Sequence, residues 1–319
     1  MSHDLPQRPY GTTGQQVSAI GLGGAGLDKH SLDDGVATVR RGLELGVSYF
    51  DTSPAYGDGA SQVVLGRALE GRREPHILAT KLGHLATPGA FRSQKALRAQ
   101  LWENLRALRR KRVETLQVHM AEYACWWRDG VESETQLVNP DEDYDFADAP
   151  VMQFLREARA EGLCRFIGLT CDDAERMAFI LGHLHVDTCL VAYGYNLIYR
   201  NARRSVLPIS RQKGVAYIAA GVVKLHPAYI QLNPDFLASA PSWFTTELRR
   251  CLQGLCELQE ASGLSPATLA VRYLLADPDI STILLGAGNV AELEESVAAA
   301  QQGPLPAHLH QQVEQLGLS

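Results

Sequence analysis

Short, unbroken apolar runs alternate with longer stretches in which apolar residues recur every three or four positions, and this alternation repeats eight times. The runs are Ser18–Leu22, Ser48–Asp51, Ile77–Lys81 and Thr115–His119, then Phe166–Leu169, Thr188–Ala192, Val215–Ala219 and Thr282–Leu285. Each is aliphatic or β-branched without polar alternation, the pattern of a parallel strand covered on both faces. The stretches between them carry the helical period. Leu32–Leu45 sets Leu32, Val36, Val39 and Leu43 on one stripe behind Ser31, with Asp34 three residues on as a capping-box-like start. Gln94–Arg110 spaces Leu97, Leu101, Leu105 and Leu108 in the same way and gathers basic residues at its C-terminal end, where they suit the helix dipole. Met152–Glu161, Asp172–Leu181, Ser242–Ser262 and Val290–Gln301 follow suit.

Eight such units predict one (β/α)8 TIM barrel over residues 1–319, with a C-terminal helical extension over 304–316, in preference to an open doubly wound sheet. No G-x-G-x-x-G opens a helix after an early strand, and Gly21-Leu22-Gly23-Gly24 has the wrong spacing, so a dinucleotide would not bind in Rossmann fashion. Three connections are long: 82–92, 120–149 and 222–241. All follow strands, which places them at the C-terminal mouth where barrel enzymes keep their sites.

Composition narrows the partners. The chain has 319 residues, 45% of them hydrophobic and 21% charged, which excludes disorder. Length alone leaves two domains of about 150 residues open beside one barrel of about 250 with extensions. A net charge of −6 without a long Lys/Arg block gives no footprint for nucleic acid. No run approaches the roughly 20 apolar residues that span a bilayer. Polar Met1–Gln16 lacks the apolar stretch of a signal peptide, so a cytoplasmic location is expected. With neither nucleic acid nor membrane indicated, the expected partner is a small-molecule substrate. Six cysteines without a C-x-x-C pair read as free thiols, and His183 and His185 lack the cluster that would complete a metal site.

Four polar residues end successive strands or follow them closely. Asp51 closes the second run in Y-F-D-T-S-P-A-Y-G, with Tyr56 five residues on; Lys81 closes the third in I-L-A-T-K-L-G; His119 closes the fourth in L-Q-V-H-M. One strand–helix unit separates each from the next, so a carboxylate, a phenol, an ammonium and an imidazole meet at one mouth of the barrel.

This set, with its surrounding words, resembles the aldo-keto reductase family. The Gly-rich first strand, F-D-T-S-P-x-Y-G, T-K-L-G, L-Q-V-H, R-F-I-G-L-T and T-I-L-L-G-A-G-N-V-A-E-L-E-E-S carry the likeness from about Tyr10 to Gln302. V-D-T-C-L-V-A-Y-G-Y-N-L and I-G-L-T look nearest to the branch that oxidises aldoses such as L-galactose or L-fucose. The resemblance implies a (β/α)8 barrel, a nicotinamide cofactor and a catalytic Asp51, Tyr56, Lys81 and His119. A free phenol titrates near 10, poorly matched to proton transfer at neutral pH. Lys81 beside Tyr56 is expected to lower that value, with Asp51 holding Lys81 charged and His119 orienting the substrate oxygen.

The same resemblance implies cofactor contacts at Gly23, Thr170, Cys171, Gly221, Leu285, Gly286, Gly288, Asn289, Glu292, Glu295 and Ser296. The words differ in places. Gly288 stands where many members carry an Arg or Lys for the 2′-phosphate of NADP, Glu292 replaces a Gln, and Ser296 replaces an Asn. Cys171 replaces the Asn of a Ser-Asn pair, its Gln partner falls near Ala192, and the seventh strand reads Y-I-A-A-G-V-V-K-L where the family usually shows a Ser-Pro-Leu word. A missing cation and an added carboxylate disfavour a phosphate dianion, so NAD is expected ahead of NADP.

The segment 129–148 is rich in Asp and Glu and lacks any basic residue, reading equally as a solvated loop or as a cover against anionic substrates. Trp126 and Trp127 precede it, and an indole face at the mouth would stack on a sugar ring. Three functions follow: an NAD(P)-dependent oxidoreductase on a sugar or other neutral carbonyl compound; the same Tyr–Lys–Asp set used for elimination or isomerisation; and a non-catalytic regulatory barrel. The sequence leaves the oligomeric state open.

Overall fold

A computed structural model describes residues 5–224 and 244–318, together with Asp235, Ala238 and Ser239. Eight parallel strands close into a barrel: β3 (Ile20–Gly23), β4 (Tyr49–Asp51), β5 (Ile77–Leu82), β6 (Val113–Val118), β7 (Cys164–Cys171), β8 (Thr188–Ala192), β9 (Ala216–Ala220) and β10 (Ile280–Leu285). Closure is made by β10, which pairs with β9 on one side and with β3 on the other. The eight apolar runs are these eight strands, with boundaries shifted by two residues at most. A closed ring explains their unbroken apolarity: one face packs on helices and the other fills the barrel.

Two apolar clusters follow from that geometry. Inside the ring lie Tyr10, Tyr49, Phe166, Ile218 and Leu284 among others; outside it a larger cluster joins strands to helices. The helices include α1 (Leu32–Glu44), α2 (Ala60–Leu69), α3 (Gln94–Ala107), α4 (Pro150–Ala160), α5 (Ala174–His183) and α6 (Asn201–Lys213). Beyond the third long connection come α7 (Thr246–Ser262), α8 (Pro266–Leu274), α9 (Val290–Gln301) and α10 (Ala307–Leu316). Ser31 caps α1 by accepting the Asp34 amide, and Asn289 caps α9 through the Glu292 amide, so both starts follow from local side-chain chemistry.

The periodic reading passes over a short antiparallel hairpin, β1 (Gln7–Pro9) with β2 (Gln16–Ser18). Behind it Tyr10 enters the barrel floor, fully buried between Tyr49 and Phe166, with its hydroxyl 3.1 Å from the Thr115 Oγ1. The floor is thereby plugged, and the opposite end holds the open cavity. Of the long connections, 82–92 ends in a 3-10 turn at Pro88–Arg92, and most of 222–241 lies outside the described residues. Among the described residues no helix is long and apolar enough to cross a membrane.

Candidate active site

The strand ends deliver their polar side chains to a cavity of about 350 Å³ lined by Asp51, Tyr56, Lys81, His119, Thr170 and Asp172 at its inner end. Asp51 and Lys81 are each 1% exposed and form a close ion pair. The Lys81 ammonium also donates to the Thr52 carbonyl at 2.9 Å, and its nitrogen lies 4.6 Å from the centre of the Tyr56 ring. The second oxygen of Asp51 accepts from Gln117 Nε2 at 2.8 Å. Gln117 and His119 share one face of the strand because side chains alternate with period two, a signal by which Gln117 is readable from the sequence. Asn104 of α3 fixes the Lys81 backbone, donating to its carbonyl at 2.9 Å.

A buried charge pair persists only when its remaining hydrogen-bonding capacity is met. Here Gln117 and Thr52 complete the shell. Burial pulls Lys81 down, yet Asp51 and Tyr56 outweigh it and hold the ammonium above the usual lysine range. Tyr56 departs from expectation. Burial raises its hydroxyl above the ordinary phenol range and exceeds the opposing pull of Lys81. The ammonium moderates a penalty that the dry site imposes, and the resting group is a phenol.

His119 is buried, with its basicity lowered well below the usual range by burial, by Lys81 and by His84, whose ring centre is 4.6 Å away. The ring is therefore neutral. Its Nδ1 lies 3.1 Å from the Ser53 Oγ, and that oxygen already accepts the Ala55 amide at 3.1 Å. A Ser53 hydroxyl that donates to Nδ1 places the ring proton on Nε2, the nitrogen that then serves as donor. The rings of Tyr56 and His119 stand edge-on, 5.8 Å apart, so phenol and imidazole converge on one small volume.

From this inner end the cavity runs past Gly23, Thr170, Ala220 and Gly221 to Leu285, Gly286, Glu292, Glu295 and Ser296. An elongated cofactor fits such a groove. No atom lies within 4 Å of the place where a side chain on Gly286 would begin, so the groove stays open there. At Gly221 (φ 65°) an added Cβ would meet the Tyr193 ring at 2.6 Å, so the position requires glycine. Gly288 and Asn289 stand beside the groove rather than on its wall. The Gly288 amide donates to Glu292 Oε2 at 2.8 Å, and Asn289 caps α9 while donating to Glu292 Oε1 at 3.1 Å.

Three expectations are corrected. Cys171 does not reach the groove: it is buried and its thiol donates to the Asp173 carbonyl, because strand alternation turns Thr170 and Asp172 inward and Cys171 outward. Trp126 and Trp127 offer no stacking face. Both are fully buried, with indole N–H groups donating to the His119 and Ala121 carbonyls at 3.0 and 2.6 Å. They form the core beneath the 120–149 connection and fix the backbone at His119. The cofactor end does not lack cations either. Lys29 and Lys224 line it with Glu292, and the Lys29 stem passes beside Gly288. Burial and the neighbouring Lys29 hold Lys224 below the usual lysine range. The acidic connection itself is pinned by arginines, with Asp129 and Asp145 on Arg92 and Glu142 on Arg128.

A closed α/β barrel whose mouth holds a phenol, an ammonium–carboxylate pair and a neutral imidazole beside an elongated groove is built for proton transfer coupled to a bound cofactor. The chain belongs to the aldo/keto reductase family, whose model matches residues 19–317. It is 30% identical over 304 residues to the L-galactose dehydrogenase of Arabidopsis thaliana, covering 92% of this chain and 88% of that one. It is 25% identical to the NADH-specific methylglyoxal reductase of Escherichia coli, covering 91% and 92%. Aldo-keto reductase AKR11C1 from Bacillus halodurans in its holo form shares the fold at a TM-score of 0.72, with 22% identity over 98% of this chain and 96% of that one. The protein is an NAD(P)-dependent oxidoreductase.

Proposed function

We propose that the protein oxidises an aldose at its ring-form C1 hydroxyl to the lactone, with Tyr56 as the proton-transferring group and Lys81, Asp51 and His119 in support. The observation that carries this reading is the Lys81–Asp51 pair, 1% exposed and seated against the Tyr56 ring at the inner end of the groove. A nicotinamide held in the groove would supply the hydride acceptor. His119 Nε2 donates to the substrate oxygen and orients it, while Tyr56, once deprotonated, accepts the hydroxyl proton. Lys81 stabilises the resulting phenolate, and Asp51 keeps Lys81 charged and in place. In the reverse direction Tyr56 gives its proton to a carbonyl oxygen. Thr170 and Gly221 would border the nicotinamide end, and Leu285, Gly286, Glu292, Glu295 and Ser296 the adenosine end. The sugar is supported by the likeness to L-galactose dehydrogenase.

For the cofactor we propose NAD. Glu292 sets a carboxylate at the adenosine end that would repel a 2′-phosphate dianion, against the pull of Lys29 and Lys224 beside it. Catalytic efficiency with NAD and NADP, read at the reduced-nicotinamide absorbance with a panel of aldoses, tests both statements. Turnover of at least one aldose with NAD ahead of NADP is expected. A strong NADP preference overturns the cofactor choice, and absence of nicotinamide reduction with every aldose overturns the substrate.

A further inference from the structure

The inner end of the cavity holds a carboxylate that the proton-transfer chemistry does not use. Asp172 follows the last residue of β7 and faces the same side as Thr170, into the space bounded by Tyr56, Lys81 and His119. Its backbone is fixed from behind: the amide donates to Glu122 Oε1 at 2.9 Å, and Glu122 is itself only 3% exposed. The Asp172 carboxylate, by contrast, makes no hydrogen bond and no ion pair among the described residues. It opens into the cavity, where burial pushes its pKa up to about 6 against the pull of Lys81, so at neutral pH it is charged.

Asp172 also borders a second cavity of about 540 Å³ that lies outward of the first, and Tyr193 is the other residue common to both. The seam between the two is rigid. Tyr193 has a left-handed backbone (φ 61°), donates its amide to the Ala220 carbonyl at 2.9 Å and lays its ring over Gly221. A molecule reacting under Tyr56 and His119 therefore meets the Asp172 carboxylate on the wall that the two cavities share. A charged acceptor with no protein donor suits a molecule that brings several hydroxyl donors and no negative charge.

We infer that Asp172 is the specificity residue of the site, accepting hydrogen bonds from hydroxyls beyond the reacting carbon of a neutral polyhydroxylated substrate and excluding anionic ones. This rests on the oxidoreductase reading above and adds to it the residue that selects the substrate class. Asp172→Asn keeps the shape and removes the charge. Steady-state kinetics with a neutral aldose, the matching uronic acid and propanal (reduced with NADH) read the selectivity, and fluorescence titration reads NADH binding without turnover. A charge-assisted hydrogen bond is worth about tenfold in binding. In D172N the aldose KM is expected to rise about tenfold with kcat within about twofold, a loss at least about fivefold larger than that for propanal. The uronate-to-aldose ratio of kcat/KM is expected to rise about tenfold or more as the repulsion is removed, with the NADH Kd within about twofold.

Equal losses for aldose and propanal overturn the inference, because the carboxylate then acts on Tyr56 or Lys81 rather than on substrate. A weakened NADH Kd overturns it too, by placing Asp172 on the cofactor. Wild-type protein that reduces propanal but oxidises no aldose sinks the inference while the oxidoreductase reading stands; wild-type protein that neither binds nor turns over nicotinamide sinks both.

Discussion

Two cations are buried among the described residues, and their surroundings differ. Lys81 sits at the mouth of the barrel against one carboxylate, one carbonyl and the face of a phenol. Arg200, 6% exposed, sits just before α6 and beneath α10. It donates to the carbonyls of Asn196, Tyr199, Leu197 and Val313 and lies 4.6 Å over the Tyr273 ring. Around Arg200 four backbone oxygens draw on the charge, and the C-terminal helix is tied to the barrel. Around Lys81 the charge is left to act on groups that can titrate, Tyr56 and Asp172. Arg200 also acts on titratable groups, Tyr273 and Glu314, but these lie away from the cavity, so a buried cation is structural or chemical according to whether its field reaches the site.

The contrast is sharpest under substitution. Lys81→Met strips Asp51 of its cation in a dry site, so both properties fail: kcat falls by about 10³-fold or more through Tyr56, and stability by about 3–5 kcal/mol because a buried charge is left alone. Kinetics and thermal melting check the two arms. A variant that melts normally would break the claim that this pair is internally balanced. Tyr56→Phe separates the arms, with kcat lower by about 10²–10⁴-fold and the melting temperature unmoved, since only a hydroxyl is lost.

Arg200→Met should do the reverse. About 2–4 kcal/mol of stability is lost with the four carbonyls' donor, while kcat of the protein that remains folded changes by less than about twofold. A large fall in kcat at unchanged stability would show that α10 bears on the site. A smaller effect follows at His119: Ser53→Ala removes the partner that selects its tautomer, costing about 5- to 10-fold in kcat/KM with little change in melting.

The direction of the Tyr56 shift gives a pH test. Burial keeps the phenol above its ordinary range, so it stays protonated at neutral pH. Reduction uses that proton and should run nearly flat from about pH 6 to 9, whereas oxidation needs the phenolate and should climb across the same range. An oxidation rate that levels off near neutral pH would show that Lys81 wins over burial.

The architecture was largely legible. Parallel strands buried on both faces leave unbroken apolar runs, and polar residues that end such runs, Asp51, Lys81 and His119, stand out against them. The hairpin whose turn holds Tyr10 escapes the periodic pattern because three-residue strands carry no periodicity, although Gly11 and Gly14 mark its turn. At the nicotinamide end the resemblance names Thr170 and Cys171 together; β7 runs to Cys171, and alternation turns Thr170 into the cavity and Cys171 away from it. Trp126 and Trp127 look alike from the sequence whether they line a mouth or fill the core beneath a loop. Lys29 and Lys224 lie far apart along the chain and meet only because the ring of strands closes.

Periodicity and run boundaries are local properties, so the chain order of strands, the closed ring and the residues at strand ends were set by the sequence alone. Which way the phenol shifts, which of two adjacent side chains opens into the cavity, and what charge gathers at the far end of the groove depend on every neighbour at once. Desolvation and Coulomb fields sum over space rather than along the chain, and only the folded arrangement fixed those sums.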